Sequence, residues 1–470
     1  MTREISSDLA IIGSGPAGYY AAIQAAKLGK KVVLVEKKKI GGACLHYGTI
    51  PSKTLREAIL ELSGFHNREL FRGEPAREIS PKKLVWRLQQ VILKEEEIMQ
   101  RRIQKNGILL VQGRAEFADP HHLQIYDEEG KIEACVTSDF FIIATGSCPN
   151  HPLAIPFEEK TILDSNQLLE LEEIPESLII LGGGVIGSEY ACYFSLLGTQ
   201  VFLIDQKRQM LPFLDSEIGA HLQSALTDIG LSFYGERVPE KITCLGEKVE
   251  VTFTEGESLT ASALFCALGR VPHLEGLGLD KLALQCTERG FLSVNALFQT
   301  SLPHIYAVGD VIGHPALAST AMEQGRVAAR YACGKKNAFS SPFHPIGIYT
   351  IPEISSYGHS EDQLKEMNVR YEVGRAYYYE ISRSHISCNE TGLFKILFHP
   401  ETLTILGIHI IGKGATEVIH IGQVAMSFNA PLSYFVEHVF NYPTYAEGFR
   451  IAALNGLNKL KHSPSKLLYR

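Results

Sequence analysis

Hydrophobic and polar positions fall twice into the same succession along this chain. An apolar run, Leu9-Ala10-Ile11-Ile12, breaks at a glycine cluster, continues with helical spacing, and ends in a second apolar run, Val32-Val33-Leu34-Val35, closed by Glu36. The order recurs as Leu178-Ile179-Ile180-Leu181, a glycine cluster, a helical stretch, and Val201-Phe202-Leu203-Ile204 closed by Asp205. Short unbroken apolar runs bounded by turn residues suit strands covered on both faces. The pattern predicts two strand-turn-helix-strand units with parallel strands, and with them an α/β fold containing two Rossmann-like domains.

The glycine clusters read Gly13-Ser14-Gly15-Pro16-Ala17-Gly18 and Gly182-Gly183-Gly184-Val185-Ile186-Gly187, and in both units the acid lies 23 positions beyond the first glycine. Each feature has a mechanical reason: the first glycine permits the tight turn, the second admits a pyrophosphate close to the backbone, and the third lets helix pack on strand. The acid suits a ribose hydroxyl, and the helix N-terminus faces the phosphates. With 41 glycines in 470 residues, about 0.3 matches to this spacing arise by chance, so one match says little and two in register say much more. The expectation is a chain that binds two dinucleotides, one through Gly13, Gly15, Gly18 and Glu36, the other through Gly182, Gly184, Gly187 and Asp205.

Between and after the units the pattern is looser. Residues 81–105 are charged, with Leu84, Leu88, Ile92 and Ile98 as one apolar stripe of a helix, its lysines and glutamates a solvated face. Alternating segments at Gly113–Phe117, Leu123–Tyr126 and Cys135–Ile143 read as strands leading to Ala144-Thr145-Gly146, and Pro149–Pro156 reads as a crossing between domains. A strand at Ala263–Leu268 closes on Gly269-Arg270. Ile305–Val308 is an apolar strand ending at Gly309-Asp310, where a carboxylate reaches a polyol. From Phe343 alternating strands, among them Phe394–Phe398 and Ile405–Ile411, give way to helices, with no further glycine motif.

Composition narrows the function. A net charge of −7 with 21% charged residues argues against nucleic-acid and anionic-membrane partners, which favour basic faces. No apolar run approaches the roughly 18 residues of a membrane span, and the first strand begins too early for a signal peptide. The nine cysteines are scattered without a CxxC pair, as expected of reduced thiols in a cytoplasmic protein without a metal site.

Residues 41–53 read GGACLHYGTIPSK. With the two glycine units, Ala144-Thr145-Gly146, Gly269-Arg270, Ala307-Val308-Gly309-Asp310, and Tyr442-Pro443-Thr444 with Glu447, the chain resembles the flavin-dependent pyridine nucleotide-disulfide oxidoreductases over its whole length. The resemblance implies an FAD-binding domain at 1–154, an NAD(P)-binding domain at 155–275, a return to the FAD domain at 276–342, and a C-terminal α+β dimerisation domain at 343–470. It implies FAD as cofactor, nicotinamide dinucleotides as substrates, and a homodimer. Disulfide-reducing members carry two cysteines in this segment; here Cys44 stands with Thr49 in the second place, and a hydroxyl cannot complete a disulfide. Those members also carry a C-terminal histidine as thiol base where this chain has Tyr442, and a phenol is a poor thiol base near neutrality. Both changes, with GIYTIPEISS at 347–356, YEVGRA at 371–376, EVIHIGQ at 417–423 and FNYPT at 440–444, are similar to the soluble, energy-independent transhydrogenases of that family.

The resemblance assigns roles residue by residue. Glu36 holds the adenosine ribose of FAD and Asp310 its ribityl chain, with Gly42, Cys44, Thr145 and Gly146 lining the cofactor. Lys53, paired with Glu189, sits beside the reactive ring, where an ammonium stabilises charge arriving with hydride. Cys44 is a packed thiol rather than a nucleophile, His46 is structural, and Tyr442, with Glu447 retained, either shapes the site from the other subunit or serves in simple aromatic packing. Gly269 lies at the NAD(P) side. Asp205 accepts a ribose diol but repels a 2′-phosphate, while Lys207 and Arg208 beside it are candidate phosphate ligands or solvated side chains. The expected activity is reversible hydride transfer between NADPH and NAD+ through FAD. Three rivals stand beside it: an NAD(P)H oxidase or diaphorase, a disulfide reductase using Cys44, and a non-catalytic flavoprotein sensor.

Overall fold

The first apolar run becomes the strand Arg3–Ile12, its last four residues inaccessible to solvent or nearly so. Each such aliphatic side chain contributes about 1.5–3 kcal/mol on burial. The structure, a computed structural model, describes residues 2–63, 80–171, 173–254, 256–335 and 343–461. Strand Arg3–Ile12 pairs in parallel with Val32–Glu36 on one side, Leu9 opposite Val32, and with Ile132–Ile143 on the other, Ile11 opposite Ile142. Leu109–Gln112 extends the sheet beyond Val32–Glu36.

The twelve-residue strand Ile132–Ile143 serves two neighbours. Its first half pairs antiparallel with His122–Tyr126, which pairs with Arg114–Asp119; its last three residues pair in parallel with Ile305–Ala307. The strand that leads to Asp310, in the turn Gly309–Ile312, is thereby brought into the sheet of the first glycine unit, although some 300 residues separate them in sequence. Helix Pro16–Lys27 and helix Ala318–Ala332 close on one another at Gly325, where a Cβ would lie 2.0 Å from the Ala17 carbonyl oxygen.

The second unit forms its own five-stranded parallel sheet, in the order Ser232–Tyr234, Gln200–Ile204, Ser177–Leu181, Ala263–Cys266 and Ile162–Leu163. The strand expected at 263–268 is shorter than predicted, because Gly269 turns with φ +90° and Arg270–Pro272 leaves to pair antiparallel with Ser147–Pro149. Part of the supposed Pro-rich crossing is therefore a two-stranded ladder. A three-stranded antiparallel sheet, Pro239–Leu245, Lys248–Phe253 and Ser258–Ala261, was not anticipated. Its signal is the alternation at Val249, Val251 and Phe253, all buried.

From residue 346 five antiparallel strands run in the order Ile346–Ile348, Ile354–Gly358, Ile405–Ile411, Leu393–Phe398 and Glu372–Tyr377. Helices Ala415–Ser427 and Glu447–Lys461 cover them over a core containing Phe394, Phe398, Ile408 and Phe449. Helix Pro81–Lys105 buries Leu84 and Leu88 as expected, with Ile92 and Ile98 half-buried and Ile103 completing the stripe. Among the described residues no helix is long and apolar enough to cross a membrane.

Candidate functional site

At the first glycine turn Gly13 has φ +98°, and a Cβ there would lie 2.5 Å from the Ala144 carbonyl oxygen. A Cβ on Gly18 would lie 1.9 Å from the Gly13 carbonyl, so the helix sits on the turn only without one. In front of Gly15 the space is open, and no side chain caps helix Pro16–Lys27. Its first N–H groups are left for an anion. Glu36 is buried; its Oε2 accepts from the Ser14 N–H at 2.9 Å and hydroxyl at 2.6 Å, and its Oε1 from the Lys38 N–H at 2.8 Å. Gly41 donates to Ser14, and Gly42 packs so closely that a Cβ would lie 3.1 Å from the Gly15 Cα.

The second turn repeats these contacts. Cβ atoms on Gly182 and Gly187 would lie 2.6 Å from the Ala267 carbonyl oxygen and 1.9 Å from that of Gly182, and the space before Gly184 is open. Helix Val185–Leu196 also lacks a side-chain cap. Asp205 Oδ2 accepts from the Gly183 N–H at 2.6 Å and Oδ1 from the Lys207 N–H at 2.7 Å. Lys207 and Arg208 are exposed.

Between the two turns lies the segment 41–53. Gly42–His46 is a short helix followed by Thr49–Leu62. The Lys53 ammonium donates to both carboxylate oxygens of Glu189, at 3.0 and 2.7 Å, and Glu189 is only 3% exposed. The ammonium also lies 4.9 Å from the centre of the Tyr349 ring, and the Tyr349 N–H donates to Glu189 Oε1 at 2.9 Å. Three segments thus meet on one buried carboxylate. Tyr349 was not singled out from the sequence, although it lies in the GIYTIPEISS stretch.

The Thr49 hydroxyl stands beside the Cys44 thiol. Burial pushes the thiol up from its ordinary range, Thr49 opposes this, Asp310 adds to it and Lys53 offsets part. A protonated thiol is a weak nucleophile. His46 is structural, its Nε2 hydrogen-bonded to the Ile40 carbonyl at 2.8 Å. Asp310 Oδ2 accepts from the Ser147 hydroxyl at 2.6 Å, and Ser147 in turn accepts from Arg270 Nε at 2.8 Å. Gly146 has φ +71°, and the Thr145 hydroxyl beside it is buried with no hydrogen-bond partner among the described residues. An orphaned hydroxyl, uncapped helix ends and open space before Gly15 and Gly184 fit a pair of phosphate-bearing ligands.

Tyr442 and Glu447 stand apart from this cluster. Tyr442 is 71% exposed and its hydroxyl donates to Ser382 at 2.8 Å, not to Glu447. Glu447 heads helix Glu447–Lys461 with Oε2 buried and without a hydrogen-bond partner among the described residues.

Two dinucleotide turns, a lysine–glutamate pair between them and a C-terminal antiparallel sheet define a class of two-nucleotide oxidoreductases. The chain belongs to the pyridine nucleotide-disulphide oxidoreductases: that family's model matches residues 7–325, and the model of its dimerisation domain matches residues 344–453. A soluble pyridine nucleotide transhydrogenase of Mycobacterium tuberculosis (strain ATCC 25177 / H37Ra) is 42% identical, over 97% of this chain and 98% of its own length. The protein of the same name from Chromohalobacter salexigens is 44% identical, over 96% and 98%. Among solved structures, LpdA of Mycobacterium tuberculosis superimposes with a TM-score of 0.88 at 26% identity, covering 97% of this chain and 99% of that one. The HOCl-induced flavoprotein disulfide reductase RclA of Escherichia coli gives 0.87 at 25% identity, with the same coverage.

Proposed function

We propose that the chain is an FAD-dependent NAD(P)+ transhydrogenase, passing hydride reversibly between NADPH and NAD+ in a ping-pong cycle. One observation carries the reading: Thr49 occupies the place against Cys44 that a disulfide would need, while Lys53 keeps its bidentate hold on Glu189. The names of the relatives support it. Bound FAD supplies a ring that takes hydride from a reduced nicotinamide and returns it to an oxidised one.

The chain's residues bind, orient and stabilise. Gly13, Gly15, Gly18, Glu36, Gly42, Thr145, Gly146 and Asp310 would hold FAD; Gly182, Gly184, Gly187, Asp205 and Gly269 would hold the nicotinamide dinucleotide, with Lys207 and Arg208 toward a 2′-phosphate. Lys53 keeps a positive charge beside the hydride acceptor, and Glu189 fixes its direction. Cys44 stays a thiol and takes no electrons. Segments 1–154 and 276–342 form the FAD domain in this reading, 155–275 the nucleotide domain and 343–470 the dimerisation domain. Val424, Phe428, Val439 and Tyr442 leave apolar surface exposed on that last domain, which suits a second copy of the chain. Tyr442 and Glu447 would complete the partner's site. The setting is cytoplasmic, without nucleic-acid or membrane partners.

The test is anaerobic stopped-flow on the holoenzyme: NADPH bleaches the flavin absorbance and NAD+ alone restores it. Bleaching without restoration by NAD+ would overturn the reading in favour of an oxidase. A Thr49→Cys variant that gains a dithiol titre and a long-wavelength thiolate–flavin band would confirm residue 49 as the missing half of the disulfide.

A further inference from the structure

The largest buried ionic cluster described in the molecule lies away from both glycine turns. Lys395, on strand Leu393–Phe398, is 1% exposed, and its ammonium contacts Asp215 Oδ1 at 2.8 Å, Glu217 Oε2 at 2.9 Å and Glu361 Oε2 at 2.6 Å. Arg375 pairs with Glu217 through two bonds of 2.7 and 2.8 Å, and Tyr371 donates to Glu361 Oε1 at 2.9 Å. Taking an ammonium and carboxylates out of water is costly, so a cluster of this kind is weak evidence for stability alone. Its geometry suggests another use.

Asp215 caps helix Ser216–Asp228 through the Glu217 N–H at 3.1 Å, and its other oxygen accepts from the Glu361 N–H at 3.1 Å. It is also the last residue of a ten-residue segment, 206–215, that begins beside Asp205. Asp205 and that segment hold the second glycine turn between them. The Gly183 N–H is taken by the Asp205 carboxylate, and the Gly183 carbonyl by the Leu211 N–H at 3.1 Å. Leu211 has φ +50°, a left-handed conformation that a leucine adopts only under constraint. Met210, Leu211 and Leu214 are buried, so the segment is a packed strut rather than a free loop. One end grips the turn and the other is clamped by Lys395 from the C-terminal sheet.

We infer that Lys395 is a positioning residue for the pyridine nucleotide: through Asp215 and the strut it fixes the Gly182–Gly187 turn at the mouth of the site. The inference rests on the reading of that turn as the nicotinamide-dinucleotide loop. Lys395 touches no reacting atom, so its loss should weaken nucleotide binding equally in ground and transition states. That signature is a raised KM with kcat preserved.

The experiment uses the flavin-loaded enzyme carrying Lys395→Met, with Glu361→Gln as a milder variant that leaves Lys395 paired with Asp215. KM for NADPH and for NAD+ should rise about tenfold in the first and about threefold in the second, with kcat within about twofold and flavin content unchanged. Calorimetric titration with NAD+ should show the same weakening. Unaltered KM and NAD+ affinity in a folded Lys395→Met enzyme would overturn the proposal, as would a fall in kcat and flavin content alongside KM. Should Lys395→Met yield no folded protein, Glu361→Gln decides alone, and wild-type affinity there would overturn it. Failure of the unmodified holoenzyme to bind NAD+ would bring down the reading of the turn itself, and is told apart because the parent then shows no titration.

Discussion

Laid side by side, the turns at residues 13–18 and 182–187 share every contact that makes a dinucleotide turn and differ in what surrounds it. In both, the third glycine leaves 1.9 Å between a would-be Cβ and the carbonyl of the first, and in both the acid binds the N–H of the residue after the first glycine. At the first turn that residue is Ser14, whose hydroxyl also binds Glu36 and whose oxygens accept from Gly41, so segment 41–53 folds over the turn. At the second it is bare Gly183, held instead by the Leu211 strut from behind. The first turn is overlaid by segment 41–53, which in the proposed reading suits a resident FAD; the second is braced from behind by the strut, which in the same reading suits a ligand that comes and goes. The turns share their backbone chemistry and differ in the segments packed against them.

The sharpest way to break the comparison is to put the same methyl group into each turn. Gly18→Ala and Gly187→Ala create the same backbone clash, yet the first should purify without flavin and the second should stay yellow. In the second, kcat/KM for NADPH should fall about 100-fold, since neither backbone can yield without moving its helix. Absorbance spectra of the purified proteins and steady-state rates read both outcomes.

Lys53 belongs to neither turn and reaches between them. In Lys53→Met, flavin reduction by NADPH in stopped-flow should slow by about 10²–10³-fold, the range for removing one preorganised charge, with FAD retained. A variant that reduces at the wild-type rate would mean the ammonium only ties two segments together.

A smaller effect sharpens the second turn's identity. Asp205→Asn keeps the acceptor for Gly183 and removes the charge facing a ribose, so the NADPH/NAD+ preference should move about tenfold toward NADPH in kcat/KM. The corresponding Glu36→Gln change should leave that ratio untouched, because in the proposed reading Glu36 holds FAD and not the exchanging nucleotide.

The smallest effect probes the strut's anchor through pH. Burial alone would raise the Glu361 carboxyl, but the Lys395 ammonium outweighs it and holds it down at about 2; Glu217 is lowered against burial by Arg375 and Lys395. Groups whose folded values are depressed stabilise the fold above their ordinary range and lose that contribution as pH falls toward the folded value. Melting temperature should therefore decline between about pH 4.5 and 2 in the wild type and less steeply in Lys395→Met, where Glu361 and Glu217 lose the Lys395 ammonium and Glu217 keeps only Arg375. Parallel thermal melts across that window check it.

Much of this was legible because the informative residues act through backbone geometry. Gly13, Gly18, Gly182 and Gly187 are readable since no other residue fits the contacts they make, and the pairing of Lys53 with Glu189 came from the resemblance. The Lys395 cluster was not readable. Its members at 215, 217, 361, 375 and 395 follow no spacing, because three-dimensional packing alone brings their elements together. Tyr349 was missed for the opposite reason: an aromatic in an apolar stretch looks like core, and only its position over Lys53 marks it. The antiparallel strands at 239–261 carry a clear alternation at Val249, Val251 and Phe253, but they are inserted within a unit whose dominant signal is parallel. Within one chain Tyr442 meets Ser382 and not the Lys53–Glu189 pair, and a single sequence holds no register of a neighbour.

The ladder between Ser147–Pro149 and Arg270–Pro272 sets Pro149 against Arg270, Cys148 against Val271 and Ser147 against Pro272. The two ends of residues 150–269 therefore lie side by side, as a pocket opens and closes on the same stitch, so the chain can enter and leave that stretch without displacing the strands on either side of it.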